Sequence, residues 1–255
     1  YATGTLITAQ EREEEQHNRS NWEIGGDYEY NFDSGNKYRF LFIVNDRDFT
    51  YTRDRFDVFA DSEEKNLFLF SAGRDRERIG RTSYTFDLGG NQGIEVGIEG
   101  AQTIRDSDLR LGLSGTGMTS VAHGGLVPQA VSNASSAVEE LRLESFAIHN
   151  WQINDRMSLE SSLIYEKSTI TQSGDVTNER DFSFVRPKLD YRFDITSSLQ
   201  LRTTIEKTVS QLSFSDFSAT TDNSDDDQNT QAGNPEIAQE QAWNYEMNLE
   251  YRLPN

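Results

Sequence analysis

Residues 243–253 read Trp-Asn-Tyr-Glu-Met-Asn-Leu-Glu-Tyr-Arg-Leu. Trp243, Tyr245, Met247, Leu249, Tyr251 and Leu253 fall on one side, and Asn244, Glu246, Asn248, Glu250 and Arg252 on the other. A period of two makes a β-strand with one apolar and one wet face, and roughly ten such residues cross a bilayer when tilted. The pattern returns along most of the chain. Trp22, Ile24, Tyr28 and Tyr30 oppose Glu23, Asp27 and Glu29; Leu189, Tyr191 and Phe193 oppose Lys188, Asp190 and Arg192. This periodicity predicts an all-β protein, an antiparallel transmembrane β-barrel fragment.

Composition agrees. The 255 residues carry a net charge of -19, only 35% are hydrophobic, and the mean hydropathy is -0.72. Soluble domains usually hold about 45–50% apolar residues with Gly counted. Such low hydrophobicity suggests disorder, yet 11% of residues are aromatic. A barrel with a hydrated lumen reconciles the two, because half of every strand faces water. No run of 18 apolar residues occurs, which excludes a spanning helix and leaves spanning strands untouched. The acidic balance argues against nucleic acid, whose phosphates need Lys and Arg. Cysteine is absent, in keeping with export. The chain opens at Tyr1 within a strand-like stretch, with no signal peptide, and so reads as a fragment.

Connections alternate in kind. Tight turns are predicted near residues 33, 89, 154 and 196, where Gly35, Asn36, Gly89, Gly90 and Asn154 are available. Longer polar connections are predicted near 17, 55, 120, 175 and 225. Short periplasmic turns and long extracellular loops are the signature of outer-membrane barrels. About ten long up-and-down strands are expected, odd ones running outward. Tyr30, Phe32, Tyr38, Tyr84, Phe86, Trp151, Tyr191 and Phe193 flank the tight turns as an interfacial girdle would. Two segments resist. Residues 67–72 are apolar without clear assignment. Residues 134–144 carry Ser136 and Glu139 in capping-box spacing, but the period of two from Leu141 to Ile153 favours a strand.

The order of the late segments carries a resemblance. Arg186-Pro187-Lys188-Leu189-Asp190-Tyr191-Arg192-Phe193 is followed by Leu199-Gln200-Leu201-Arg202. Ala232-Gly233-Asn234-Pro235-Glu236 then leads into Trp243-Asn244-Tyr245. This resembles the late barrel strands of TonB-dependent outer-membrane receptors, sharply after Arg186 and by strand layout before it. The family's usual Lys-Pro-Glu stands here as Ala238-Gln239-Glu240, a partial match. Residues 1–255 are thus expected to be part of such a barrel domain, without the plug and without the closing strands. The resemblance implies energy-coupled uptake of a scarce ligand (a siderophore, vitamin or oligosaccharide) across the outer membrane of a Gram-negative bacterium. The implied partners are membrane lipid and lipopolysaccharide, the transported small ligand, and an inner-membrane energy-coupling protein acting through a plug outside this chain. Residues 114–135 and 215–239 would face the ligand.

Three rivals are weighed. A passive porin predicts a barrel with no plug. A barrel enzyme needs a nucleophile and base at one rim, and no Gly-x-Ser-x-Gly sequence or Cys is present, so no catalytic residue, cofactor or metal site is assigned. A soluble β-rich binding module conflicts with the outward apolar faces. His17, His123 and His149 are too scattered for a zinc motif. Asp225-Asp226-Asp227 lacks the spaced ligands of a calcium loop and reads as a solvated tip. Arg74, Arg76, Arg78 and Arg81 suggest cross-strand pairing or lipopolysaccharide contact at the outer rim.

Overall fold

The computed structural model describes residues 10–221, 230, 231, 233, 234 and 236–253. Eight long strands run in turn: β1 (Glu11–Asn31), β2 (Lys37–Val58), β3 (Glu63–Gly89), β4 (Gln92–Leu113), then, after a short β5 (Val127–Gln129), β6 (Ser135–Asn154), β7 (Met157–Gly174), β8 (Asn178–Asp194) and β9 (Leu199–Val209). Two-residue strands β10 (Thr220–Thr221) and β11 (Thr230–Gln231) pair with each other, and β12 (Gln241–Tyr251) is the ninth long strand. The sheet order is β1-β2-β3-β4-β6-β7-β8-β9-β12, antiparallel throughout, with β5 folded back on β4. Among the described residues β1 and β12 each have one neighbour, so the sheet is open.

Register shows which residues share a face. Ile24 pairs with Val44, Val44 with Arg78, Arg78 with Gln102, Gln102 with Leu141 and Leu141 with Thr169. Even positions of β1–β4 therefore share one face with odd positions of β6–β9 and β12. On that face, near the tight turns, lie Trp22, Ile24, Tyr28 and Tyr30, then Tyr38, Phe40, Phe42 and Val44, with Ile94, Val96, Ile98, Leu163, Leu189, Leu249 and Tyr251 further round. Most are exposed: Ile24 by 61% and Met247 by 73%. At the edge of the belt away from the tight turns the rows turn charged, with Arg78 opposite Val44 and Lys167 in the row of Phe42. The nine residues from Trp22 to Tyr30 rise about 30 Å along the strand, or about 22 Å once tilted, which matches a hydrocarbon-facing band. A soluble protein does not tolerate an apolar patch of this extent. The girdle is present as well: Phe32 packs edge-on against Tyr30 at 4.8 Å and against Tyr84 at 5.8 Å, and Asn36 Nδ2 donates to the Tyr84 hydroxyl at 2.7 Å.

The tight turns at 32–36, 90–91, 155–156 and 195–198 lie at one end. Gly89 (φ 79°), Gly90 (φ 61°) and Asn91 (φ 60°) take the left-handed backbone of the second turn, with a bulge at Asp87/Gly89.

Several sequence expectations need correction. No connection occurs near residue 17, because β1 runs unbroken from Glu11 to Asn31; residues 1–9 lie outside the described set. The parity of strand direction shifts with it, so β1 runs toward the tight turns. The charged stretch 53–65 is mostly strand, turning only at 59–62. Its charges pair across the ladder: Arg55 with Glu11 at 3.7 Å, Lys65 with Asp54 at 2.7 Å, and Arg53 with Glu13. The connection at 175–177 is equally short. The asymmetry between the two ends therefore rests on the long connections 114–134 and 210–240. Strand β9 stops at Val209, and Phe214–Phe217 forms a 3-10 turn instead of strand. The strand expected over 134–144 is present instead, since Ser136 lies in β6 and its Oγ meets Ser218 Oγ at 2.9 Å.

The ambiguous segment 67–72 has a physical explanation. Beyond the belt, apolar side chains change sides. Leu67, Leu69, Leu109 and Leu111 are buried on the face opposite the belt, joined by Tyr51 and Ala219. Val138 and Ile170 do the same under Phe217. The sheet turns apolar groups outward where hydrocarbon surrounds it and inward where the long connections cover it.

Candidate functional site

The inner face has two zones. Beside the belt it is a ladder of charge. Glu99 lies 3.6 Å from Arg81 and 3.5 Å from Arg142; Arg142 Nε is 3.4 Å from Glu144; Arg186 Nη2 reaches Glu144 at 2.8 Å and Glu166 at 3.1 Å. Five strands, β3, β4, β6, β7 and β8, contribute. Arg81 also covers the Phe146 ring at 4.2 Å, and that ring lies over Gly97, where a Cβ would meet both the ring and the Thr82 carbonyl. The glycine in β4 is what lets Phe146 lie flat beneath the guanidinium.

Beyond the ladder lies a cavity of about 500 Å³ at the mouth of the sheet. Its wall is built by register. Tyr51 stands opposite His17 on β1 and Ser71 on β3, and Ser71 stands opposite Leu109 on β4. The His17 and Tyr51 rings lie 4.6 Å apart, and Tyr51 donates its hydroxyl hydrogen to Glu15 at 3.0 Å. Arg105 pairs with Asp75 at 3.0 Å at the base of this wall. From the connection 210–240, Ser215, Ser218 and Ala219 form the roof. Phe217 is buried on Val138 and Ile170, Ser218 Oγ lies 3.2 Å from Ser107 Oγ, and Gln172 Nε2 donates to the Phe217 carbonyl at 3.2 Å. The two long connections meet here: the Ala219 amide donates to the Asn133 carbonyl at 3.2 Å, and Asn133 Nδ2 donates to the Gly233 carbonyl at 3.1 Å.

Gly233 and Asn234 do more than turn the chain. Gly233 lies against the Phe217 backbone so closely that no side chain fits there. The Asn234 amide donates to the Asp216 carbonyl at 2.7 Å, and Asn234 Oδ1 accepts from the Glu236 amide at 3.0 Å. These residues clasp the roof to itself. Pro235 and Asp225-Asp226-Asp227 lie outside the described residues. In sequence, 210–240 holds seven acidic residues and no basic one.

The three histidines part company. His17 joins the cavity. His149 stacks near Trp151 at 6.4 Å and meets Gln92 Oε1 at 3.0 Å at the girdle. His123 sits in the 3-10 turn Val121–His123, 3.3 Å from Ser120 Oγ. Among the described residues no three His, Asp or Glu side chains gather as metal ligands. The arginine run divides by parity, with Arg81 facing inward and Arg74, Arg76 and Arg78 outward. The cavity offers donors, acceptors and a ring pair, which suits reversible capture.

Burial, and then the Glu15 carboxylate, push the Tyr51 phenol up to about 12. Its pKa exceeds the ordinary value of about 10, so its contribution to stability is full below pH 10 and is lost as pH rises through 12. A Tyr51→Phe variant should therefore lack the latest-titrating phenol in an alkaline absorbance titration. If the variant's curve overlays the parent's above pH 11, Tyr51 is solvated and the cavity wall is misplaced.

The model of the family described as TonB dependent receptor-like, beta-barrel matches residues 2–254. The chain belongs to the TonB-dependent receptor β-barrel family. Among solved structures, a chain of the FpvAI–pyocin S2 complex is similar with a TM-score of 0.52 at 10% identity, covering 75% of this chain and 27% of that one. The ferric yersiniabactin uptake receptor FyuA from Yersinia pestis matches with a TM-score of 0.49 at 10% identity, over 86% of this chain and 33% of that one. The chain thus spans about a third or less of the length of these solved chains. No curated protein matches it in sequence. At this identity the first likeness speaks for the fold alone, an antiparallel barrel wall of the TonB-dependent type.

Proposed function

We propose that this TonB-dependent receptor wall serves energy-coupled uptake of a scarce ligand, of siderophore, vitamin or oligosaccharide type, across a Gram-negative outer membrane. The observation that carries the reading is the inner cavity at the mouth, walled by β1–β4 and roofed by 210–240. A roof that buries Phe217 and is tied by hydrogen bonds to β4, β6, β7 and β8 is built to close over something, whereas a passive pore is served by an open mouth. The charge ladder below provides a hydrated inner wall suited to a plug carried elsewhere in the receptor, through which an inner-membrane coupling protein acts.

The test uses the full receptor in two assays. In a planar bilayer with potassium chloride it should show no steady ohmic conductance. In cells, uptake of the one labelled ligand it accepts, from ferric siderophores, cobalamin and oligosaccharides, should stop when a protonophore collapses the membrane potential. Steady conductance together with uptake indifferent to the protonophore would establish a passive porin instead.

A further inference from the structure

Three unlike donors converge on the wall of the mouth cavity. Register places Tyr51 directly opposite His17, and Glu15 is the neighbouring inward residue on β1. The Tyr51 hydroxyl lies 3.0 Å from one Glu15 carboxylate oxygen, and His17 Nε2 lies 3.5 Å from the other. Ligands bound to one ion at about 2.0–2.2 Å stand about 3.0–3.5 Å from each other. The spacing of these groups is therefore already that of a shared coordination sphere. His17 and Glu15 alone are too few to hold an ion, and the phenol makes a third donor. One imidazole with two oxygens is a donor set for a first-row transition metal. All three line the cavity, His17 and Glu15 exposed and Tyr51 buried in its wall.

The neighbouring charges leave room for a cation. Arg53 Nε lies 4.0 Å from Glu15, and Arg53 is also held by Glu13. Two carboxylates against one guanidinium leave a net negative charge. Arg19, the inward residue on the other side of His17, lines the same cavity and makes no ion pair among the described residues. It is a cation waiting for an anion from outside the chain. A bare ion fills little of a cavity of about 500 Å³, and the rest is space for groups that the ion brings with it.

We infer that the cavity captures a first-row transition metal as an anionic chelate with open coordination positions. Glu15, His17 and Tyr51 complete the coordination of the metal, and Arg19 pairs with an oxyanion of the chelator. On ligation the metal takes the place of the proton that Tyr51 shares with Glu15, and that proton goes to water. This rests on the uptake reading and narrows its ligand to a metal complex that the receptor itself ligates.

Binding of copper(II) nitrilotriacetate to the full receptor in detergent tests it. This chelate carries a single negative charge and leaves coordination positions open. The parent should bind one per chain and show a phenolate-to-copper charge-transfer band in the visible. Tyr51→Phe should abolish the band. His17→Ala should weaken binding by roughly tenfold or more, a loss of about 1.4 kcal/mol for each tenfold. Both variants should keep the gel mobility of the folded barrel. His149→Ala should bind as the parent does. Arg19→Gln should weaken binding of the chelate and leave binding of free copper(II) unchanged. Copper(II) ethylenediaminetetraacetate, whose chelator fills the coordination sphere, should not bind. The inference is overturned if the parent binds no nitrilotriacetate complex, if the saturated complex binds as tightly, or if the band is absent or survives Tyr51→Phe. It is equally overturned if His149→Ala weakens binding as much as His17→Ala, or if Arg19→Gln acts on chelate and free copper(II) alike. Failure here leaves energy-coupled uptake of another ligand standing, and uptake indifferent to the protonophore leaves this binding standing.

Discussion

Leu163→Arg is expected to lower the stability of the membrane-inserted barrel by up to about 2–4 kcal/mol, the cost of a cation on the lipid face, largest at the bilayer midplane. Leu163 stands on the outer face of β7, 51% exposed, between Ala147 on β6 and Pro187 on β8. The outward neighbours one row away are Ser145 and Tyr165 on one side and His149 and Ser161 on the other, and none of them is a carboxylate. The next residue supplies the control. Ser162 faces inward beside Lys188, so Ser162→Arg should cost within about 1 kcal/mol, since inward positions are hydrated. Urea titration in lipid vesicles, followed by the emission of Trp22, Trp151 and Trp243, reads both. Equal losses at the two sites would mean that neither face meets hydrocarbon, and the membrane reading would fall.

Arg186→Gln should be costlier still, at about 3–5 kcal/mol, because it strands buried carboxylates. Arg186 is the shared partner of Glu144 and Glu166, and Glu166 is fully buried. Without the guanidinium, Glu144 keeps Arg142 at 3.4 Å, while Glu166 keeps no cation within ion-pair distance. Adding Glu166→Gln to Arg186→Gln removes the stranded charge, and the double variant should recover more than half of the loss. The same urea titration decides. A single-variant loss below about 1 kcal/mol, the level of an exposed ion pair, would show that water reaches Glu166 and that the ladder contributes little.

The belt was plainly legible in the residues. Alternation over 22–32, 182–195 and 243–253 assigns faces without ambiguity because hydrocarbon lies on one side and water on the other. Above the membrane that contrast disappears. At Leu67 and Leu69 the apolar parity inverts under the long connections, so local pattern gives no stable assignment. Arg53 and Arg55 read as loop because charge usually marks solvent, whereas their partners Glu13 and Glu11 lie some forty residues earlier. The cavity was hidden for a related reason. His17, Tyr51, Leu109 and Ser218 share no motif and are joined only by register and by the folding back of 210–240. Sequence reasoning expects both long connections to face a ligand, and in the fold they touch each other beside the cavity through Asn133, Ala219 and Gly233. It took Gly233-Asn234-Pro235 for a turn and a mark of the family and missed the clasp, which exists only because Asp216 and Phe217 come to lie against it.

The abrupt change from Val44 to Asp46, from Gly80 to Arg78 and from Tyr165 to Lys167 also fixes how deeply the protein is immersed. Sinking by two residues would drag this collar of charge toward the oily interior, and each cation taken to midplane costs about 2–4 kcal/mol. Rising by two would lift the ring-bearing rows into water. A pull along the membrane normal therefore meets a wall held at its depth from both sides.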